Sequence, residues 1–127
     1  MPDADTIRAT VDRYTSCFGV DRDAFLAGFT DDAWIEDPVG TPRHEGKEAI
    51  GAFYDQSTGM ADQVELRRTG PVRVAAGECA FPMQARPTIG GQVFAIDIID
   101  VMTFADDGRI ATMRAFWDPA SMQPASD

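Results

Sequence analysis

The sequence predicts an α+β fold, with a curved antiparallel sheet packed against three N-terminal helices to form a cone-shaped pocket. Three observations carry that expectation. Apolar residues recur at helical spacing in the first half of the chain and at strand spacing in the second. The helical segments come first and consecutive hairpins follow, rather than alternating as in a parallel α/β sheet. A chain of 127 residues is the length of one domain, spanning 1–127, and can bury roughly two thirds of its unfolded surface around a core and a cavity.

Residues 5–18 read as the first helix. Ile7, Val11, Tyr14 and Phe18 form one apolar stripe, with Asp5 as the expected N-cap and Gly19 as the stop. A short second helix is expected from Arg22 to Phe29, with Phe25, Leu26 and Phe29 facing inward. Residues 33–36 read as a strand that ends at Asp37-Pro38, because proline cannot donate to a ladder. Pro38 to Gly46 reads as a loop. Lys47 to Gln56 reads as the third helix, turning Ile50, Phe53 and Tyr54 inward. Strands are expected at Val64–Arg68, Val72–Ala76, Cys79–Ala85, Val93–Phe104 and Ile110–Trp117. Turns fall at Gly77-Glu78, Gly90-Gly91 and Asp106-Asp107-Gly108, the last a strong hairpin signal. Residues 118–127 read as a flexible polar tail.

Charge narrows the partners. Eleven basic residues against 21 acidic ones give 11 − 21 = −10. That excludes nucleic acid, whose phosphates need a basic footprint, and disfavours anionic membranes and strongly anionic substrates. A neutral or apolar ligand suits the balance. Cys17 and Cys79 make no disulfide framework and no CxxC pair. The single histidine, His44, excludes a multi-histidine metal site. Asp3, Asp5 and Asp12 argue against a signal peptide. The most apolar stretch, Phe94 to Met102, is interrupted by Asp97 and Asp100 and is too short to cross a bilayer. A soluble protein in a reducing, cytoplasmic environment is expected.

Asp100 is the most informative residue for chemistry. Its strand face reads Phe94, Ile96, Ile98, Asp100, Met102, Phe104. A lone ionised carboxylate there is very costly, so Asp100 is either a neutral acid able to donate a hydrogen bond, near an exposed strand end, or paired with an arginine such as Arg114. Asp37 closes an apolar strand just before a proline, which suits a rigidly held base or an ordinary Asp-Pro turn. Tyr14 lies on the apolar stripe of the first helix. Its hydroxyl either meets a core carbonyl or points into a pocket. Tyr54 poses the same choice, and the two hydroxyls can satisfy each other. Met113, Ala115 and Trp117 share one face of the last strand, beside the Asp100 strand. They read as core or as a flat wall for a polycyclic ligand. Asp97 falls on the opposite face as an interface or surface charge. Cys17 reads as a small buried hydrophobe. His44, Arg67 and Arg68 read as surface.

Four segments bring these residues together: Val11-Asp12-Arg13-Tyr14, the run Phe29 to Gly40 containing Glu36-Asp37-Pro38-Val39-Gly40, the run Gly46 to Tyr54, and Ile99-Asp100-Val101-Met102 leading to Met113-Arg114-Ala115-Phe116-Trp117. In these the chain resembles the bacterial Δ5-3-ketosteroid isomerases of the NTF2-like superfamily, over about residues 7–117. The resemblance implies that Asp37 is a general base and that Tyr14 and Asp100 are oxyanion-hole donors. The family keeps its second donor as a protonated aspartic acid. Tyr54 then supports Tyr14 through a hydrogen bond. Met83, Met113 and Trp117, with Ala115 and Phe53, complete the implied steroid-binding set. Phe29 replaces a further tyrosine found in some members, and residues 60–95 match weakly.

The implied activity is steroid Δ-isomerisation without cofactor or metal, on a small steroid substrate, by a homodimer. A non-catalytic NTF2-like steroid- or lipid-binding protein and a polyketide-cyclase-like enzyme are the alternatives. The isomerase is preferred because the base and both donors stand together in their family segments.

Overall fold

The computed structural model describes residues 1–125. Its first helix, α1 (Ala4–Cys17), is capped by Asp3 and not by Asp5: the Asp3 carboxylate accepts the Thr6 N–H at 2.8 Å. Asp5 instead sits in the first turn, where negative charge complements the helix dipole. After α1 the chain turns through Gly19 at φ +77°, and a Cβ there would lie 2.7 Å from the Val64 carbonyl oxygen. Only glycine fits that close approach.

Helix α2 covers Arg22–Ala27, and Phe29, expected as its last inward residue, opens strand β1 (Phe29–Glu36). Pairing decides the boundary. Phe29 registers with Ile110, and the Ile110 N–H donates to the Gly28 carbonyl at 2.8 Å. The following elements are β2 (His44–Glu45), α3 (Lys47–Gly59), β3 (Gln63–Arg68), β4 (Arg73–Ala75), β5 (Glu78–Ile89), β6 (Gln92–Phe104) and β7 (Ile110–Phe116). Strand β5 outruns its expected end at Ala85 because β3 and β6 flank it on both sides, with Pro87 opposite Val64 and Thr88 opposite Val93.

The fold is α+β, with a curved, unclosed sheet and three helices. Strands run in the order β2-β1-β7-β6-β5-β3, with β4 also on β5. One pairing departs from the expected antiparallel pattern: β1 lies parallel to β7. The chain enters β1 from α2 at the end where it enters β7 from the Asp106-Asp107-Gly108 turn, so the two strands start together. The other strand pairings among the described residues are antiparallel.

The segment expected as a flexible tail is built into the sheet. A 3-10 turn (Pro119–Ser121) leads to β8 (Gln123–Pro124), which pairs with Phe94 and Ala95 of β6. Ser126 and Asp127 lie outside the described residues.

Between helices and sheet, aromatic rings pack around Phe25. Its centroid lies 5.4 Å from Tyr14 and Phe18, 5.2 Å from Phe29 and 5.0 Å from Tyr54. This cluster fixes the Tyr14 ring from behind. Phe25→Ala is therefore expected to lower unfolding free energy by about 3–5 kcal/mol, the usual cost of emptying a buried phenylalanine site. Urea denaturation checks this, and a loss below about 1 kcal/mol would show that the cluster collapses to fill the space.

Candidate active site

A cavity of about 420 Å³ lies between α1, α3 and the concave side of the sheet. That volume falls in the range of roughly 300–1,000 Å³ common for small-molecule sites. Of the residues singled out in the sequence, Tyr14, Asp37, Phe53, Met83 and Trp117 line it. Asp100, Met113 and Ala115 are fully buried and are not among its lining residues.

Asp37 follows directly on β1. The next turn is held at both ends: the Val39 N–H donates to the Ala115 carbonyl at 2.8 Å, and the Gly40 N–H donates to Glu36 at 3.1 Å. The Asp37 carboxylate accepts a hydrogen bond from the indole N–H of Trp117. Burial pushes the Asp37 carboxyl above the ordinary carboxylate range, while that indole N–H and the charge of His44 pull it back. It is a partly shielded carboxylate with one donor on it.

Asp100 is in a different environment. It is completely buried on β6, opposite Phe81 of β5 and Ala115 of β7. Pairing with Arg114 does not occur. Arg114 registers with Val101, so it projects to the other face, where its Nε donates to Glu36 at 2.9 Å. The Tyr14 hydroxyl interacts with the Asp100 carboxyl. Even so, no well-aligned bond closes, and both Asp100 oxygens lack a hydrogen-bond partner among the described residues. Burial drives this carboxyl well above its ordinary range, and the negative charge of Asp37 pushes it the same way. A neutral acid results, its O–H without a well-aligned acceptor among the described residues. Tyr14 is likewise raised well above the usual phenol range, by burial and then by the charges of Asp100 and Asp37.

The Tyr54 hydroxyl is engaged elsewhere. It accepts the Gly19 N–H at 3.0 Å, and no hydrogen bond joins it to Tyr14 among the described residues. Phe29 stands with its ring centroid 6.5 Å from that of Tyr14, edge to face. Cys79 is buried, and its thiol is pushed up to about 12 by burial and by the charge of Asp100, which makes it inert. No group of three or more His, Cys, Asp or Glu side chains that could hold a metal occurs among the described residues. Asp97 is exposed and accepts a hydrogen bond from Gln84 at 2.9 Å, so it belongs to the outer face.

His44 was expected on the surface and instead lines the cavity, with its ring centroid 4.9 Å from that of Phe53. Its two-residue strand pairs with Ile35 and Trp34 inside a segment that reads as loop, and a strand so short leaves no periodic signal. Met122 also lines the cavity, and its place became visible only with the tail folded.

The described fold and site define a small-ligand cavity lined by the partly shielded Asp37 carboxylate and the Tyr14 phenol, with the Asp100 acid fully buried outside that lining. The SnoaL-like domain family matches residues 7–113, and the chain belongs to that NTF2-like family. A steroid Delta-isomerase of Nocardioides simplex is 38% identical over 117 residues, which is 91% of this chain and 93% of that protein. Among solved structures, the epoxide hydrolase/cyclase-like enzyme SalBIII, described for pyran ring formation in the polyether salinomycin, aligns with a TM-score of 0.87. It is 27% identical, and the alignment covers 98% of this chain and 100% of that one.

The environment of Asp100 has a consequence for stability. Its carboxyl is protonated in the folded chain but ionises once unfolded, above about pH 4. The stability it permits is therefore full below that pH and is lost as pH rises toward the folded value. Asp100→Asn removes this titration. Wild-type stability relative to the variant should fall with pH between the unfolded and folded values, by at most about 1.4 kcal/mol per pH unit. Urea titrations at about pH 4.5, 5.5 and 6.5 measure it. A pH-independent difference would mean that Asp100 is ionised in the folded protein.

Proposed function

We propose that this protein is a steroid Δ-isomerase that converts a 3-keto-Δ5-steroid to its conjugated Δ4 isomer. The observation that carries the reading is the unpartnered acid of Asp100. A buried donor without an acceptor suits a ligand oxygen that arrives with lone pairs to fill. Tyr14 stands against it on the cavity wall, and Asp37 supplies the base on the same cavity. The steroid Delta-isomerase relative supports the same reading.

The substrate carbonyl enters deepest, toward Tyr14 and Asp100. Asp37 removes a proton from C4, beside the carbonyl. The C4–H electron pair moves into a dienolate, whose oxygen charge is held by the two donors. Asp37 then returns the proton to C6, and the double bond settles into conjugation. Atoms and charge balance with no cofactor or metal. A positioned base contributes roughly 10²–10⁴-fold. Each oxyanion donor contributes about 10²–10³-fold. A neutral substrate also suits the net charge of −10.

The likeness to SalBIII favours a second reading, a cyclase of the same fold. There Asp37 would activate a hydroxyl and Asp100 would donate to the departing oxygen. Incubation with 5-androstene-3,17-dione separates the two: growth of a Δ4-3-ketone chromophore near neutral pH supports the isomerase.

Asp37→Asn should reduce kcat by about 10³-fold or more, since the near-isosteric amide cannot take up the proton. Retained turnover would remove Asp37 from the role of base. Tyr14→Phe and Asp100→Ala should each cost about 10²–10³-fold. Asp100→Asn should cost less than Asp100→Ala, because an amide still donates.

The acid limb of kcat/KM should follow the Asp37 carboxyl, activity falling as it becomes protonated. Trp117→Phe removes a hydrogen bond that favours the ionised form, and His44→Gln removes a favourable charge. Both should move that limb to higher pH. A limb unmoved in both variants would assign it to another group.

A further inference from the structure

The proposed reaction uses only the closed end of the cavity. The open end has its own chemistry. Met60 at the C-cap of α3 is 73% exposed, Ile89 at the end of β5 is 42% exposed, and Met122 in the C-terminal segment is 44% exposed. All three nevertheless line the cavity. Large apolar side chains from three separate elements, meeting at one opening and left in water, mark a ligand-binding edge. Two of them are methionines, which adapt their shape to irregular apolar surfaces.

The rim is also poor in charge. Gln56 and Ser57 on α3 are polar but neutral, and among the described residues no carboxylate, lysine, arginine or histidine other than Asp37 and His44 lines the cavity. Met122 is held in place by hydrogen bonds on both sides. The Asp118 carboxylate accepts the Ala120 N–H at 2.9 Å, and beyond Met122 the Ala125 N–H donates to the Val93 carbonyl at 2.9 Å. The residue is presented by an anchored strap.

We infer that Met60, Ile89 and Met122 form a specificity rim for the substituent at the end of the steroid remote from its carbonyl, selecting a branched aliphatic chain over a small polar group or a carboxylate. This rests on the steroid reading of the cavity. An aliphatic chain reaching the rim covers its own surface and that of the three side chains. A carboxylate at the same place loses hydration and meets no cation.

The test uses three Δ4-3-ketosteroids, which bind without turnover, titrated calorimetrically into the full-length protein. One carries a ketone at C17. One carries a branched chain of about eight carbons, long enough to cover a rim of this kind. The third carries a chain of similar length ending in a carboxylate. The aliphatic ligand should bind at least about 10-fold tighter than either of the others, the scale set by burying one large apolar side chain. Met60→Ser and Met122→Ser should each reduce its preference over the C17 ketone by roughly 3–10-fold. Met122→Leu should retain that preference.

Equal affinities, tightest binding of the carboxylate, or serine variants that weaken all three ligands alike would each overturn the rim. Failure of all three to bind would overturn it together with the steroid reading. Aliphatic preference without any isomerase turnover would sink the reaction and leave the rim standing.

Discussion

A fully buried carboxylic acid with no well-aligned hydrogen bond among the described residues sets the terms for the rest of this structure. Asp100 can be buried only as a neutral group, because an isolated charge at that depth costs far more than a domain of this size can offset. Strand alternation makes the isolation possible. Arg114, one register step away, is carried to the outer face and captured by Glu36. Small Ala115 and the Phe81 ring are the cross-strand neighbours. The aromatic cluster around Phe25 then presses Tyr14 toward the acid from the helix side.

The two carboxyls differ in what surrounds them. Asp37 is half-buried, receives the Trp117 N–H and feels the charge of His44, each of which favours ionisation. Asp100 has deeper burial, and only the Tyr14 hydroxyl offsets it in part. Asp37 also acts on Asp100. An ionised Asp37 makes a second negative charge at Asp100 costlier, so it helps to keep Asp100 protonated.

Much of this was legible in the sequence, and what was not has a common physical cause. The helical stripe of Ile7, Val11 and Tyr14 and the alternation around Asp100 are local patterns, and all four residues are buried. Asp37, Tyr14 and Asp100 could be singled out as candidates because a polar group in apolar company is itself a signal, while the roles expected of them came from the family resemblance. Illegible features depended on pairing between distant segments. Phe29 left the second helix because Ile110 claimed it, His44 reached the cavity through a two-residue strand on Ile35, and Met122 did so through the anchoring of the last residues on β6. Tyr54 shows a related limit: its ring position followed from helical spacing, but its hydroxyl partner, the N–H of Gly19, depended on how α1 ends.

The fold alone does not choose between isomerase and cyclase, since NTF2-like pockets host both kinds of name. The acidity of the donors argues for one. An acid whose carboxyl is raised far above its usual range releases its proton reluctantly, and Tyr14 is shifted in the same sense. Opening a strained ring gains from a donor that transfers its proton to the departing oxygen. A dienolate needs something else, hydrogen bonds that strengthen as charge accumulates while the proton stays with its donor, so that the intermediate remains ready to be reprotonated at carbon. Two reluctant acids at the closed end and a more easily ionised carboxylate beside them meet that need.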